Sequence, residues 1–231
     1  MARVRPSDRI DQLIEAAVAV FTERGYRRTQ MADVARALGV APGTLYLYVS
    51  SKEALFDLVI RRAFVDGTPE TIEAFPLPTP SPGATLAHLR ERMESEATLP
   101  TLRASLRRRS AGDARAELTA ILRELYALVA RWRRGIRMLD RSALDWPELA
   151  TLYATDVRQR MIGDLGDYLR RGGRNGRLRP LVHPEIAARL LIESVAWFAM
   201  HRHGDPQPPA VTDEDAIETI IAVALDGLLE R

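Results

Sequence analysis

Apolar residues recur along most of the chain at steps of three and four, the spacing that places them on one face of an α-helix. Alternating runs of β-branched residues bounded by turn residues, which would predict strands, are nearly absent. The pattern therefore predicts an all-α protein.

Two helices are predicted before residue 40. The first starts after Pro6 with Ser7 as its N-cap and stops at Gly25, because glycine readily ends a helix. The second is short, follows Thr29 and ends before Gly39.

A third short helix is predicted from Pro42, whose missing N–H is harmless at a first helical position, to about Tyr48. Ser50 and Glu53 have the spacing of a capping box, which predicts a fourth, linking helix over about residues 51–65.

The helical pattern stops over residues 66–83, where five of the fourteen prolines lie, so this segment is predicted to be a loop or a stiff connector. Further amphipathic helices are predicted over residues 86–97, 118–139, 147–171, 184–203 and 213–230. The apolar arc of the last helix is too wide to cover one core, which indicates partners on two sides.

Composition supports a globular chain, with 46% hydrophobic and 28% charged residues among 231. The absence of cysteine excludes a disulfide framework, a thiolate nucleophile and a cysteine-based metal site. Neither a signal peptide nor an apolar run of transmembrane length is visible, so we expect a cytoplasmic protein without a membrane partner.

The net charge of +2 conceals a basic N-terminus. The first 52 residues hold eight basic and five acidic residues, a balance of +3, whereas the remainder holds 25 basic and 26 acidic residues, or −1. Of the 33 basic residues, 32 are arginine and one, Lys52, is lysine. A basic head on a nearly neutral body is compatible with nucleic-acid binding.

Two short helices joined by a tight turn have the dimensions of a helix-turn-helix, in which the second helix enters the major groove of DNA. The motif spans about residues 29–48, and the first helix ends in Ala-Leu-Gly-Val while the second opens in Ala-Pro-Gly-Thr-Leu-Tyr. Together with Gly-Tyr at 25–26 and Ser-Lys-Glu-Ala-Leu at 51–55, this stretch closely resembles the DNA-binding domain of the tetracycline-repressor (TetR) family.

The exposed residues of the short third helix are few. Gly43 would let the backbone approach DNA closely, Thr44 could bond a base edge or a phosphate, and the two tyrosines offer hydroxyls to phosphates. The tyrosines could instead pack against the first helix. The predicted DNA-binding residues are Thr29, Gln30, Pro42, Gly43, Thr44, Tyr46, Leu47, Tyr48 and Lys52.

Lys52 is predicted to lie at the start of the fourth helix, where free backbone N–H groups favour an anion, and the family resemblance implies a phosphate contact there. A solvated surface lysine is the alternative. Thr29 is placed to bind phosphate but could be only an N-cap.

The resemblance divides the chain into a DNA-binding domain, residues 1–51, and a helical regulatory domain, residues 52–231. It implies a homodimer, formed through the last two helices, that binds a pseudo-palindromic DNA operator and responds to an unknown small effector. The dimer residues expected on those helices are Leu191, Val195, Phe198, Ile217, Ile221, Leu225 and Leu228.

Large or polarizable side chains on the central helices are candidates for an effector pocket, although ordinary core packing explains such residues equally well. They are Phe64, Met93, Tyr126, Trp132, Met138, Trp146, Tyr153, Met161, Trp197 and Met200. Because no paired charge is expected to face inward, we expect an apolar or weakly polar effector.

No catalytic set, cofactor motif or metal motif stands out, so we expect a DNA-binding regulator, most often a repressor in this family, and not an enzyme. A helical ligand-binding or interaction module that has lost specific DNA binding is the alternative. Arginine runs at 107–109 and 170–179 could form a second nucleic-acid surface, but cations at helix C-termini and on solvated faces explain them as well.

Ala41 occupies the position before the predicted third helix, where a serine or threonine side chain would cap the helix. We predict that Ala41→Ser stabilises the protein by about 0.5 to 2 kcal/mol. Thermal unfolding measures this effect, and an unchanged or lower melting temperature would contradict the capping argument.

Overall fold

The computed structural model describes residues 6–64, 72, 74–108 and 112–229. Within these ranges the protein is helical and contains no β-strand beyond one isolated bridge, between Val49 and Leu77. The helices are α1 Pro6–Arg24, α2 Met31–Leu38, α3 Pro42–Leu45, α4 Lys52–Ala63, α5 Ala84–Glu96, α6 Pro100–Arg107, α7 Ala114–Ala143, α8 Pro147–Ala150, a π-helix Thr151–Gln159, α9 Arg160–Arg174, α10 Pro184–Ala199, a 3-10 helix His201–Gly204 and α11 Asp213–Leu228.

The chain folds as two compact units. Unit 1 contains residues 1–94 and 134–153, and unit 2 contains residues 95–133 and 154–231. The boundaries of these units differ from the predicted domain boundary between residues 51 and 52. The reason is that residues 134–153, distant in sequence, pack with the N-terminal helices. The division into a DNA-binding and a regulatory domain stays a prediction about function.

The C-terminal ends of the first two helices agree with the sequence, whereas α1 begins at Pro6, one residue before the predicted N-cap Ser7. Gly25 follows α1 with a φ of 80°, and Gly39 follows α2 with a φ of 73°. Both angles lie in the left-handed region that favours glycine. One face of α1 buries Leu13, Ala17 and Phe21 completely, as its periodicity predicts.

Two short-range predictions near the third helix are wrong. α3 ends at Leu45 rather than near Tyr48, although turns continue the chain to Tyr48. The N-cap of α4 is Ser51, whose hydroxyl accepts a hydrogen bond from the Ala54 N–H at 3.1 Å. The capping box expected from Ser50 and Glu53 is therefore absent, because the third residue of the helix is Ala54, whose side chain cannot bond back to the cap.

Helix α6 was not predicted, and the predicted helix over 147–171 is three successive segments, α8, the π-helix and α9. α9 continues through Gly172 and Gly173 to Arg174. A Cβ at Gly172 would lie 2.4 Å from a Leu178 side-chain atom, so this glycine allows close packing rather than ending the helix.

In unit 2, α10 packs on α9 and α11 around buried apolar residues. The buried Arg202 donates a 2.6 Å hydrogen bond to the Phe198 carbonyl and also bonds the carboxylate of Asp213. Burial alone would raise the pKa of Asp213, but hydrogen bonds from Tyr126, Arg202 and Arg133 lower it to about 2. This ionic contact joins the 3-10 helix to the start of α11.

No helix among the described residues is both long and apolar enough to cross a membrane. In the same part of the chain, no cluster of three or more histidine, aspartate or glutamate side chains could hold a metal ion.

Candidate DNA-binding surface

The third helix is short but well anchored in unit 1. Ala41 is its N-cap, with φ and ψ of −68° and 144° and no side-chain cap, and Pro42 is its first residue. Leu45 is completely buried, as expected, so it fixes one side of the helix against the core. The two residues that follow the helix are exposed, Tyr46 by 48% and Leu47 by 66%. The end of the helix therefore presents one phenol side chain and one apolar side chain to solvent.

Gly43, within the third helix, is also exposed to solvent. A Cβ built on it would meet no atom of the described residues within 4 Å, and its φ is not in the left-handed region. The protein's own packing and backbone therefore do not require glycine at this position. Close approach of another molecule to the backbone is a reason for glycine that remains.

Tyr48 follows α3 and is half-buried. Its ring packs edge-on against Phe75, with centroids 5.8 Å apart and an angle of 74° between the planes. The packing partner of Tyr48 is thus a residue of the proline-rich segment. Sequence reasoning did not connect these two aromatic residues because 26 positions separate them.

Thr29 and Gln30 divide in their roles. The Thr29 side chain is 1% exposed, and its hydroxyl donates a 2.7 Å hydrogen bond to the Gly25 carbonyl. The predicted phosphate contact by the Thr29 side chain is therefore wrong, as is its alternative role as an N-cap. Gln30 is the N-cap of α2, its backbone N–H donates to Asp33 at 3.0 Å, and its side chain is exposed.

Lys52 is the first residue of α4, but its ammonium points to the loop between α1 and α2. Its Nζ lies 3.1 Å from the Tyr26 carbonyl, 3.3 Å from the Arg27 carbonyl and 3.1 Å from the Thr29 carbonyl. An ammonium has three N–H donors, so these contacts can use all of them. The mobile ammonium expected beside a phosphate is instead fixed to the loop.

Burial lowers the pKa of Lys52, against the opposing influence of the nearby Glu53 and Asp145 carboxylates. The ammonium also lies 4.6 Å from the centroid of the Tyr26 ring, within the range of a cation–π interaction. Lys52 therefore acts as a structural cation of the loop in this structure.

The sequence alone assigned no role to Tyr26, which lies at the centre of this region. Its ring contacts three aromatic residues, with centroid distances of 6.2 Å to Phe21, 4.7 Å to Phe56 and 4.7 Å to Trp146. Its hydroxyl donates to Glu53 at 3.0 Å, and burial together with this bond raises its pKa. Its place in the Gly-Tyr pair of the family pattern was the available signal.

The second segment of unit 1, residues 134–153, also contacts the loop between α1 and α2. The Tyr26 N–H donates to the Ser142 hydroxyl at 3.1 Å, and Arg141 donates to the Glu23 carbonyl at 2.8 Å. A Cβ at Gly25 would lie 3.0 Å from the Arg141 carbonyl oxygen. The loop thus depends on residues more than 110 positions away in sequence.

The candidate pocket residues are divided equally between the two units. Phe64, Met93, Met138, Trp146 and Tyr153 belong to unit 1, whereas Tyr126, Trp132, Met161, Trp197 and Met200 belong to unit 2. Met161 lines a cavity of about 30 Å³ together with Arg103, Arg160 and six other residues of unit 2. A cavity of that volume has room for a few water molecules in the described conformation.

Five of the seven expected dimer residues are buried inside their own protomer. They are Val195, Ile217, Ile221, Leu225 and Leu228. These side chains build the core of unit 2, and their selection for the interface is corrected accordingly. Leu191 and Phe198 remain half-buried.

The arginine runs make internal contacts in unit 2. Arg177 donates to the buried Glu117 at 3.1 Å, Arg108 pairs with the same carboxylate, and Arg171 bonds the Leu106 carbonyl. Arg109 lies outside the described residues. These contacts give the arginines a structural role.

The exposed third helix, its preceding turn and the helical remainder define a helix-turn-helix protein. Residues 13–59 match the family described as bacterial regulatory proteins, tetR family. The match covers the N-terminal helices, including the helix-turn-helix, and about a fifth of the chain.

Two relatives show how far the similarity extends. The repressor KstR2 of Rhodococcus jostii (strain RHA1) is 29% identical over 225 residues, 96% of this chain and 92% of that protein. The fatty acid metabolism regulator protein of Bacillus subtilis (strain 168) is 50% identical over 42 residues, and the chain matches only 22% of its length.

Solved structures share the fold over nearly the whole chain. The ketosteroid transcriptional regulator KstR2 of Mycobacterium tuberculosis has a TM-score of 0.60 at 18% identity, covering 100% of this chain and 99% of that one. AibR in complex with isovaleryl coenzyme A and operator DNA has a TM-score of 0.54 at 18% identity, covering 93% and 97%. The helical architecture is therefore that of TetR-like regulators.

We predict that Lys52→Met lowers the free energy of unfolding by about 2 kcal/mol, because three backbone carbonyls, two of them in partly buried contacts, lose a charged donor. The dependence of DNA affinity on salt should stay that of the wild type, since no phosphate contact is lost. Thermal unfolding and a salt series of DNA binding measure the two quantities.

Lys52→Arg is the matched control, because it keeps the charge but replaces a compact ammonium with a planar fork. We expect it to be destabilised less than Lys52→Met. An unchanged stability in Lys52→Met, combined with a salt slope reduced by about one, would restore the phosphate role.

Proposed function

We propose that the protein is a transcriptional repressor that binds a pseudo-palindromic DNA operator as a homodimer and responds to a small effector. The observation that carries the DNA-binding role is the exposed edge of α3, where Gly43 serves no need of the fold. The match of residues 13–59 to the tetR family and the named regulators among the relatives support the same role.

The exposed residues suit a major groove in distinct ways. Gly43 allows backbone approach, and Thr44 and Tyr46 offer hydroxyls to phosphates or base edges. Leu47 has no hydrogen-bonding group, so it contributes apolar contact, for which the thymine methyl is the natural partner. Pro42, Gln30 and Tyr48 complete the proposed surface, while Thr29 and Lys52 position the loop behind it.

We predict that Gly43→Ala separates stability from DNA binding. Alanine in an exposed helix is more favourable than glycine by about 0.5 to 1 kcal/mol, so the melting temperature should rise or stay constant. Operator affinity should fall by about tenfold or more, because the added methyl group holds the backbone away from DNA. The operator comes from sequencing genomic fragments that the wild-type protein retains.

Gly163→Ala is the matched control. Gly163 is exposed in α9, and a Cβ there also meets no described atom within 4 Å. This variant should keep the wild-type operator affinity. Wild-type protein that binds DNA without sequence preference at every salt concentration would favour the alternative, a helical ligand-binding module.

We place the dimer interface on the outer faces of the last two long helices. Leu190 and Trp197 on α10 are 64% and 37% exposed, and Val223 on α11 is 69% exposed. Apolar side chains exposed on two helices that pack together favour burial against a second copy.

We predict that Val223→Asp gives monomers in analytical ultracentrifugation and abolishes operator binding, because a carboxylate would be buried between protomers. Val182→Asp is the matched control, since Val182 is 90% exposed and lies outside the two helices. A Val223→Asp protein that remains dimeric would place the interface elsewhere.

Acyl-coenzyme A thioesters are the effector class that we propose to test first, because the AibR structure of similar fold contains isovaleryl coenzyme A. The isovaleryl chain is apolar, as expected of the effector, whereas the coenzyme A part carries charged phosphate groups that the sequence did not predict. Operator affinity measured with isovaleryl coenzyme A should change, and coenzyme A alone is the control. Equal operator affinity with isovaleryl coenzyme A, with coenzyme A and without either compound would exclude this thioester as the effector.

A regulator of this kind acts in the cytoplasm, where bacterial DNA lies, and performs no catalysis. Its relatives are named as regulators rather than enzymes, which supports the second statement. No bound cofactor is required by the proposed function.

A further inference from the structure

The proline-rich segment Ala74–Pro80, here named the strap, lies along the chain that leaves the third helix. The Leu77 N–H donates to the Tyr48 carbonyl at 2.8 Å, and the Ser50 N–H donates to the Leu77 carbonyl at 2.9 Å. These two bonds make the parallel bridge between Val49 and Leu77. The backbone between α3 and α4 is thus paired with a segment that follows α4.

Side chains strengthen this pairing at both ends. Thr79 donates its hydroxyl to Ser51 at 2.9 Å, and the same Thr79 oxygen lies 3.0 Å from the Ser50 hydroxyl. At the other end, the Phe75 ring packs edge-on against Tyr48. Because Ser51 also caps α4, the strap contacts the whole turn from Tyr48 to the start of that helix.

The composition of the strap makes it stiff. Pro76, Pro78 and Pro80 each fix their φ angle near −65° and carry no N–H. The residues between them retain the backbone donor, and Leu77 uses it to bind Tyr48. A stiff segment loses little conformational entropy on docking, so it can hold the turn in place.

We propose that the strap is part of the DNA-reading head, in which Phe75 is a positioning residue that sets the orientation of Tyr48 for operator contact. This inference rests on the proposed function, because it assigns the strap to the same operator-binding surface. The carrying observation is that Phe75, a residue outside the helix-turn-helix, makes the ring contact of Tyr48 while staying 39% exposed itself.

Two consequences distinguish this role from others. Phe75 carries no charge, so its loss should leave the salt dependence of operator binding unchanged. Because Phe75 acts through Tyr48, removing both rings should cost no more affinity than removing Tyr48 alone.

The experiment measures operator affinity, salt slope and melting temperature for Phe75→Ala, Tyr48→Ala, the double variant and the wild type. An edge-to-face aromatic pair contributes about a factor of 2 to 10 in an equilibrium constant, so Phe75→Ala should weaken operator binding by about that factor. Phe75→Tyr keeps the ring and should retain the wild-type affinity. Affinity for unrelated DNA should change less than affinity for the operator.

The outcomes separate the possibilities. Additive losses in the double variant would show that Phe75 acts independently of Tyr48 and would overturn the positioning role. Wild-type affinity in Phe75→Ala, or equal losses for operator and unrelated DNA with a lower melting temperature, would overturn it as well. If the wild type binds no operator at all, the proposed function itself fails, and this inference fails with it.

Discussion

The loop between α1 and α2 turns sharply at Gly25 and leaves a series of backbone carbonyls that need hydrogen-bond donors. Thr29 satisfies the Gly25 carbonyl, and the Lys52 ammonium meets those of Tyr26, Arg27 and Thr29. A compact ammonium can donate to three converging acceptors, whereas a guanidinium donates within one plane. This difference gives a physical reason for the single lysine of an otherwise arginine-rich chain. The start of α2, and through it the placement of α3, depends on this contact.

Around this centre, unit 1 uses segments from distant parts of the sequence. Tyr26 packs among Phe21, Phe56 and Trp146, and its N–H bonds Ser142. The strap then pairs with the turn that follows α3. A four-residue recognition helix makes few bonds of its own, so its orientation is set by these neighbours. The proposed DNA surface is therefore exposed in its side chains but held from behind by long-range contacts.

Local signals predicted most of what depends on neighbouring residues, with the end of α3 and the cap of α4 as exceptions. Glycines with left-handed backbone ended α1 and α2, Pro42 opened α3, and Leu45 faced the core because of its helical position. Contacts within the fold decided other outcomes. Lys52 and Thr29 have the residue types and positions expected for phosphate contact, but in this structure both side chains bond backbone carbonyls of the loop between α1 and α2. For α11, periodicity identified its apolar residues but not which of them the protomer would bury, so Ile217 and Ile221 were assigned to the wrong face.

The amino-acid sequence by itself determined the helical class, the helix-turn-helix and the resemblance of residues 13–59 to the tetR family, because these rest on short-range periodicity, turn chemistry and fixed spacing. Tertiary structure alone decided which polar groups remain available for DNA, which apolar face of α11 stays exposed, and where the proline-rich segment docks. Such outcomes depend on pairs separated by tens of residues, as with Phe75 and Tyr48 or Ser142 and Tyr26. Long-range contacts of this kind determine whether a side chain is bonded within the fold or remains available to a partner. The local sequence does not contain that information.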